Sequence, residues 1–194
     1  MEKVAAVAPL AAAAAALLEA MAAGAVPVVA DVGGLESVLL VGSTLRKEQP
    51  LLAVRLRGAA KRGTAVNVVH ALNDDLLMPV ASRVTAKPGE LAGVLAGIAA
   101  AAAQASGKSV KGDLKRAITD GERAIAASLT KRAAIFLGHY AQHHPDYAVL
   151  LALAQEIGRV TGATVGVIPE GANSVGAHLA GAVPTRGLDA RGMV

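Results

Sequence analysis

From Ser37 onward, short apolar runs closed by glycine or proline alternate with longer segments of helical periodicity, and few architectures satisfy such a pattern. Val38-Leu39-Leu40-Val41 stops at Gly42, Ala134-Ile135-Phe136-Leu137 stops at Gly138, and Thr164 to Ile168 stops at Pro169. Ala65 to Val69 follows a helix predicted from about Glu48 to Lys61 and closed by Gly63. Runs without a polar face belong to strands buried on both sides, and crossovers of this length join parallel strands through right-handed βαβ units. Pro145 and Asp146 suit the first turn of a further helix, which carries Val149, Leu150, Leu153 and Ile157 and ends near Gly162. The expected fold is α/β: a Rossmann-like parallel sheet flanked by helices.

Between the second and third apolar runs lies an Ala-rich helix opened by Pro88. A polar break at Lys108–Gly112 and a second helix from about Asp113 to Leu129 follow it. Residues 88–129 read as a helical insertion between two halves, about 35–87 and 130–184, of one domain spanning 35–194. Residues 1–34 read as an Ala-rich helix and linker. Val4 to Ala25 has the small residues of a leader, yet Glu2 offsets Lys3, Glu19 interrupts the run, and alanine is a stronger helix former than membrane residue. Leu91 to Ala105 is short for a bilayer, so no direct membrane span is expected.

Composition removes several function classes. The 194 residues contain no cysteine, which excludes disulfides, thiolate zinc sites and cysteine-ligated iron–sulfur clusters in this chain. The net charge of +4 comes from scattered basic residues, and 2% aromatics leave little for base stacking, so nucleic acid is not an expected partner.

Two strings sit where a strand hands over to a helix, the edge at which open α/β sheets bind ligands. In the first, Gly42 to Pro50, Gly42 allows close backbone approach, Ser43 and Thr44 offer hydroxyls, and Arg46 or Lys47 can meet phosphate. The plain alternative is a glycine turn followed by an exposed charged turn. In the second, Glu170 to His178, Gly171, Asn173, Ser174 and Gly176 have the sizes and polarity to cradle a nucleotide or an extended backbone; a capped helix explains the same letters. Gly107-Lys108-Ser109 lacks the strand and the first glycine of a phosphate-binding loop. His139, His143 and His144 precede Pro145, which disfavours helix before it, and read as an exposed loop; no metal site and no catalytic triad are expected. Asp74 and Asp75 read as solvated turn residues.

Val38–Pro50 (VLLVGSTLRKEQP) and Ala133–Pro184 (through IFLGHYAQHHPDYAVLLALAQEIGRVTGATVGVIPEGANSVGAHLAGAVP) resemble the large iron–sulfur subunit of bacterial NADH-quinone oxidoreductase, a member of the molybdopterin oxidoreductase superfamily. AAKRGTAVNVVH and NDDLLMPVA are similar as well, so the resemblance covers nearly everything after about Leu35. It implies a non-catalytic portion of the peripheral arm of respiratory complex I, on the cytoplasmic side of the inner membrane. The other subunits of that arm are then its partners, and the isolated chain is inert. Loops equivalent to Gly42–Thr44 and Gly171–Gly176 lie, in catalytic members, where the two nucleotide arms of the molybdenum cofactor sit; Thr44 stands here for the usual asparagine. The resemblance thus implies a vestigial molybdopterin site and no cofactor in this chain. The family's iron–sulfur clusters belong to an N-terminal cysteine-rich region without counterpart in this sequence. That departure implies a fragment, a truncated paralogue or a sequence composed in the family's style. The alternatives are a small nucleotide- or molybdopterin-binding Rossmann-like protein, and a stand-alone or designed domain without a ligand.

Overall fold

The computed structural model describes residues 31–110, 117–130 and 132–170; the Ala-rich segment expected at the N-terminus falls almost wholly outside them. Five strands, β1 (Ser37–Val41), β2 (Ala65–His70), β3 (Ser82–Thr85), β4 (Ala133–Leu137) and β5 (Thr164–Val167), form a parallel sheet in the order β3-β2-β1-β4-β5. The α/β class read from the sequence is the one the chain adopts. β1 is central, with Ser37 to Val41 in register with Ala65 to Val69 on one side and Ala133 to Leu137 on the other. Its residues are at most 1% exposed, which is why it reads as an unbroken apolar run.

Alternate side chains along the strands feed two cores. Leu39, Val41, Val69, Ile135 and Leu137 face helices α3 (Leu91–Ser106), α4 (Asp120–Ser128) and α6 (Tyr147–Thr161). Val38, Leu40, Val66, Val68, Ala134 and Phe136 face α2 (Pro50–Lys61), which buries Leu52, Ala53, Leu56 and Ala60 against them. The segment expected as a helical insertion therefore supplies two of the helices that cover the first face. α3 is apolar on nearly every side because it is wedged between α4, α6 and the sheet, and its buried Ala99, Ala101, Ala102 and Ala103 let those neighbours approach closely. With the 3-10 turn Pro88–Glu90 it reaches 19 residues, long and apolar enough by length and composition to cross a membrane. Its burial in this layer identifies a core helix. Gly107 ends it in the left-handed conformation (φ 65°), and Lys108 Nζ donates to the Val160 carbonyl at 2.6 Å, docking its end on α6.

Three sequence expectations change. The helix expected from about Glu48 to Lys61 is α2, which starts two residues later at Pro50; an unexpected one-turn helix α1 (Leu45–Glu48) precedes it, and Gln49 (φ −140°, ψ 79°) separates the two because Pro50 forces the residue before it out of the helical region. β3 has no counterpart among the expected strands: Ser82-Arg83-Val84-Thr85 has a single strongly apolar residue, as suits an edge strand. Within the described residues, the second helix of the 88–129 segment runs only from Asp120, where Thr119 and Glu122 form a reciprocal capping box.

The chain builds outward from β1 through β2 to β3, then returns to lay β4 on the opposite side of β1. The strand order thus reverses between β1 and β4. A crevice at the carboxyl ends of these two strands is where an open α/β sheet places a ligand.

Candidate functional site

Gly42 and Gly138 leave β1 and β4 side by side at this reversal. Gly42 (φ 56°) donates its N–H to the Val69 carbonyl at 2.8 Å, and its own carbonyl accepts the Ala141 N–H at 3.3 Å. A Cβ on Gly42 would lie 2.7 Å from the Ala141 nitrogen, and one on Gly138 would lie 2.3 Å from Ser43 Cβ and 2.5 Å from the Gly42 carbonyl oxygen. Only hydrogen fits at either place, so the two loops touch through backbone.

What fills the space just above this contact is the carboxylate of Glu48, at the end of the single-turn helix α1. Ser43 Oγ donates to Glu48 Oε2 at 2.7 Å, the Thr44 N–H and hydroxyl donate to Oε1 at 2.7 and 3.0 Å, and the His139 N–H donates to Oε2 at 3.3 Å. Two hydroxyls and two amides from both sides of the reversal therefore converge on one internal anion. Charge-assisted bonds of this kind are about twice as strong as neutral ones, so the arrangement is held firmly.

Of the residues expected to form the first ligand loop, Gly42, Ser43 and Thr44 lie together at the reversal. Arg46 does not join them: its Nη1 donates to the Asp75 carbonyl at 2.6 Å, bracing the loop after β2. Asp75 Oδ1 in turn accepts the Leu77 N–H at 2.8 Å, and Arg83 donates to the Asp74 carbonyl at 2.9 Å, so both residues organise a loop; Asp75 faces solvent as expected, whereas Asp74 Oδ2 is buried without a hydrogen-bond partner among the described residues and is not solvated. In the second string, Gly171, Asn173, Ser174 and Gly176 lie outside the described residues. The chain leading to them is anchored beside the first loop, with the Pro169 carbonyl accepting from Gln49 Nε2 at 2.9 Å and 3.3 Å from His139 Nε2, while Gln142 Nε2 donates to the Ile168 carbonyl at 2.7 Å.

The histidine-rich segment is the expected exposed loop only in part: the His143 side chain is 66% exposed, but its neighbours are not loop-like. His139 to Gln142 form the one-turn helix α5, and the His144 side chain is only 7% exposed. Pro145 lies far enough downstream to leave that turn intact. His144 Nδ1 accepts the Asp146 N–H at 3.0 Å, which places the proton of the neutral ring on Nε2, 3.1 Å from the Pro88 carbonyl. Tyr140 packs between His70 and His144, at ring-centroid distances of 5.1 and 6.5 Å. A cavity of about 370 Å³ opens beside this row, walled by Pro88, Gly89, Tyr140, His144 and Pro145.

His70 ends β2 and is 2% exposed. Its Nδ1 accepts the Leu72 N–H at 2.8 Å, so the neutral ring carries its proton on Nε2, a buried atom without a hydrogen-bond partner among the described residues. Burial lowers its pKa below 6.5, assisted by the Arg83 charge and opposed by Glu48 and Asp74. As pH falls through 6.5 the unfolded chain takes up a proton that the folded chain refuses. Stability is therefore lost between 6.5 and the depressed folded value, at up to about 1.4 kcal/mol per pH unit. Urea unfolding between pH 7.5 and 5 is expected to show this loss in the wild type and a shallower one in His70→Gln; equal slopes would remove His70 as its source.

Sequence reasoning alone does not single out Glu48, Gly138, His139 or His70. One signal was present: Gly138 closes its apolar run as Gly42 closes the first. Glu48 is four residues beyond Thr44 and 91 before His139, and only the sheet order reveals the second relation.

A family model of molybdopterin oxidoreductases matches residues 21–191. No curated protein sequence matches the chain. Among solved structures, the chain is similar to part of the formyltransferase/hydrolase complex (FhcABCD) from Methylorubrum extorquens, determined in complex with methylofuran, at 16% identity and a TM-score of 0.57. That similarity covers 89% of this chain and 48% of the other, so this chain spans about half the length of its structural neighbour. At such identity the likeness concerns the fold alone, whereas the family match extends over most of the sequence and includes both strands that flank the reversal: the chain belongs to the molybdopterin oxidoreductase family.

Proposed function

We propose that this chain is a non-catalytic α/β scaffold portion of the peripheral arm of NADH-quinone oxidoreductase. It supports electron transfer from NADH to quinone on the cytoplasmic side of the membrane while the redox centres lie elsewhere in the assembly. The observation that carries this reading is the closed strand-order reversal. A cofactor-binding relative would offer the donors of this loop to its ligand, whereas Ser43, Thr44 and His139 here direct theirs at Glu48. An anionic pterin dinucleotide does not fit that arrangement, because its phosphates would meet a carboxylate instead of free donors. No step of chemistry is therefore assigned to molybdopterin in this chain. The lack of any cysteine in its 194 residues likewise leaves no thiolate for an iron–sulfur cluster.

The resemblance of VLLVGSTLRKEQP and of the region after Ala133 to the large iron–sulfur subunit of that enzyme supports this particular assembly. The structural neighbour belongs to a different complex, and this supports only the coarser point that such a fold works beside other chains. Co-expression with the remaining peripheral-arm subunits is expected to recover the chain in stoichiometric association through size exclusion, with NADH oxidation by the assembled arm depending on its presence. An arm that assembles and turns over fully while this chain elutes alone would exclude the assignment.

A further inference from the structure

Opposite the stripe that α2 buries, its outer face carries Leu51 and Val54, 79% and 70% exposed, followed by the exposed Arg55, Lys61 and Arg62. A helix of about 3.6 residues per turn sets these five side chains on one side, with Arg57 at the border of the apolar pair. We propose that this face docks an acidic amphipathic helix of a partner protein. Leu51 and Val54 are the apolar anchor, and the four cations around them meet its carboxylates.

Single exposed apolar residues are ordinary on a protein surface, and a cation in the last turn of a helix answers the helix dipole. Neither accounts for this face. Leu51 and Val54 lie one turn apart and are the two most exposed large hydrophobic residues among those described. Arg55 and Arg57 precede the last turn, where Lys61 alone is the basic residue. Their charge is uncompensated: no acidic residue occurs between Gln49 and Asn73, and the four cationic side chains make no ion pair or hydrogen bond among the described residues. One of the four is also held in place. A Cβ on Gly58 or Gly33 would lie 3.4 or 3.5 Å from a nitrogen of the Arg62 guanidinium, so this group rests across two glycines with its donors unused. An apolar pair bordered by cations, with no carboxylate of its own, complements a helix whose apolar stripe is bordered by Asp or Glu. Three of the four cations are arginines, the basic residue that protein interfaces favour.

The inference concerns this face and stands whichever assembly the chain joins. Full-length wild type is titrated by calorimetry with a set of synthetic helical peptides of the length of α2, each carrying a leucine stripe bordered by glutamates. Scrambled peptides of the same composition are the control. The amphipathic peptides are expected to bind, and to weaken as salt rises. Leu51→Glu/Val54→Glu is expected to weaken them at least about tenfold, and Arg55→Glu/Arg57→Glu by a similar factor with a flatter salt dependence. All four substituted side chains are exposed, so both variants are expected to keep the urea midpoint of wild type.

No binding across the set, or binding that neither variant alters, would overturn the proposal. Equal binding of the scrambled peptides would do the same, because charge alone would then carry the affinity. Three further results would assign the face to a different occupant and likewise overturn it. A lower urea midpoint in Leu51→Glu/Val54→Glu would show that another segment of this chain covers it. A concentration-dependent dimer in sedimentation of wild type, lost in that variant, would show that a second copy does. Co-sedimentation of wild type with phosphatidylglycerol vesicles, lost in Arg55→Glu/Arg57→Glu, would show that an anionic membrane surface does.

Discussion

Gly138→Ala is expected to cost about 3 kcal/mol in unfolding free energy, the upper range for forcing one methyl group into a packed interior. The backbone at Gly138 (φ −84°, ψ −177°) suits any residue, so the cost comes from contact alone. The new Cβ would lie 2.3 Å from Ser43 Cβ and 2.5 Å from both Ser43 Cα and the Gly42 carbonyl oxygen, none of which can rotate away. Relief requires moving the loop after β1 as a unit, and that movement strains the bond from Ser43 to Glu48. Gly89→Ala is the control. Its added methyl meets nothing within 4 Å, and its effect is expected to stay within about 0.5 kcal/mol. Urea unfolding of the two variants checks the contrast; similar costs would show that the β1 and β4 loops do not touch as described.

Ile98→Ala is expected to cost about 3 to 4 kcal/mol, because a fully buried isoleucine leaves a cavity that rigid neighbours fill only in part. Ile98 lies in α3, in the core that joins this helix to α4, α6 and one sheet face. The loss should therefore spread through the molecule. Far-ultraviolet dichroism reports the helices, whereas tyrosine fluorescence reports Tyr140 and Tyr147, the two tyrosines of the sequence, at the carboxyl end of β4 and the start of α6. The two transitions are expected to coincide in Ile98→Ala as in wild type. Early loss of helical signal with tyrosine fluorescence unchanged would show that residues 88–129 melt as a separate insertion.

Much of the fold was legible because β1, β2 and β4 are buried on both faces and leave apolar runs, interrupted only by Asn67 in β2, that end in glycine or a polar loop. β3 escaped detection because an edge strand answers to solvent as well as to the core. The break at Gln49 was available from Pro50 and outweighs the apolar spacing around it. The site was legible only in part. Gly42, Ser43 and Thr44 could be read locally, since a glycine after a buried strand marks a sheet edge. The partnership of Glu48 with His139, and the packing of Tyr140 between His70 and His144, depend on which strands become neighbours. Arg46 had the chemistry for phosphate, but a nearby carbonyl in the loop after β2 claims it.

The central proposal is that the chain closes its own strand-order reversal and takes no nucleotide or pterin there. Thermal unfolding of the full-length wild-type chain tests it, with and without guanine nucleotides, molybdopterin cofactor and NADH. A ligand at one hundred times its dissociation constant stabilises by about 2.7 kcal/mol, readily visible as a rise in Tm. No rise with any of the three is the expected result. A rise with one of them, abolished by Thr44→Val, would contradict the claim and identify the chain as a nucleotide- or pterin-binding protein.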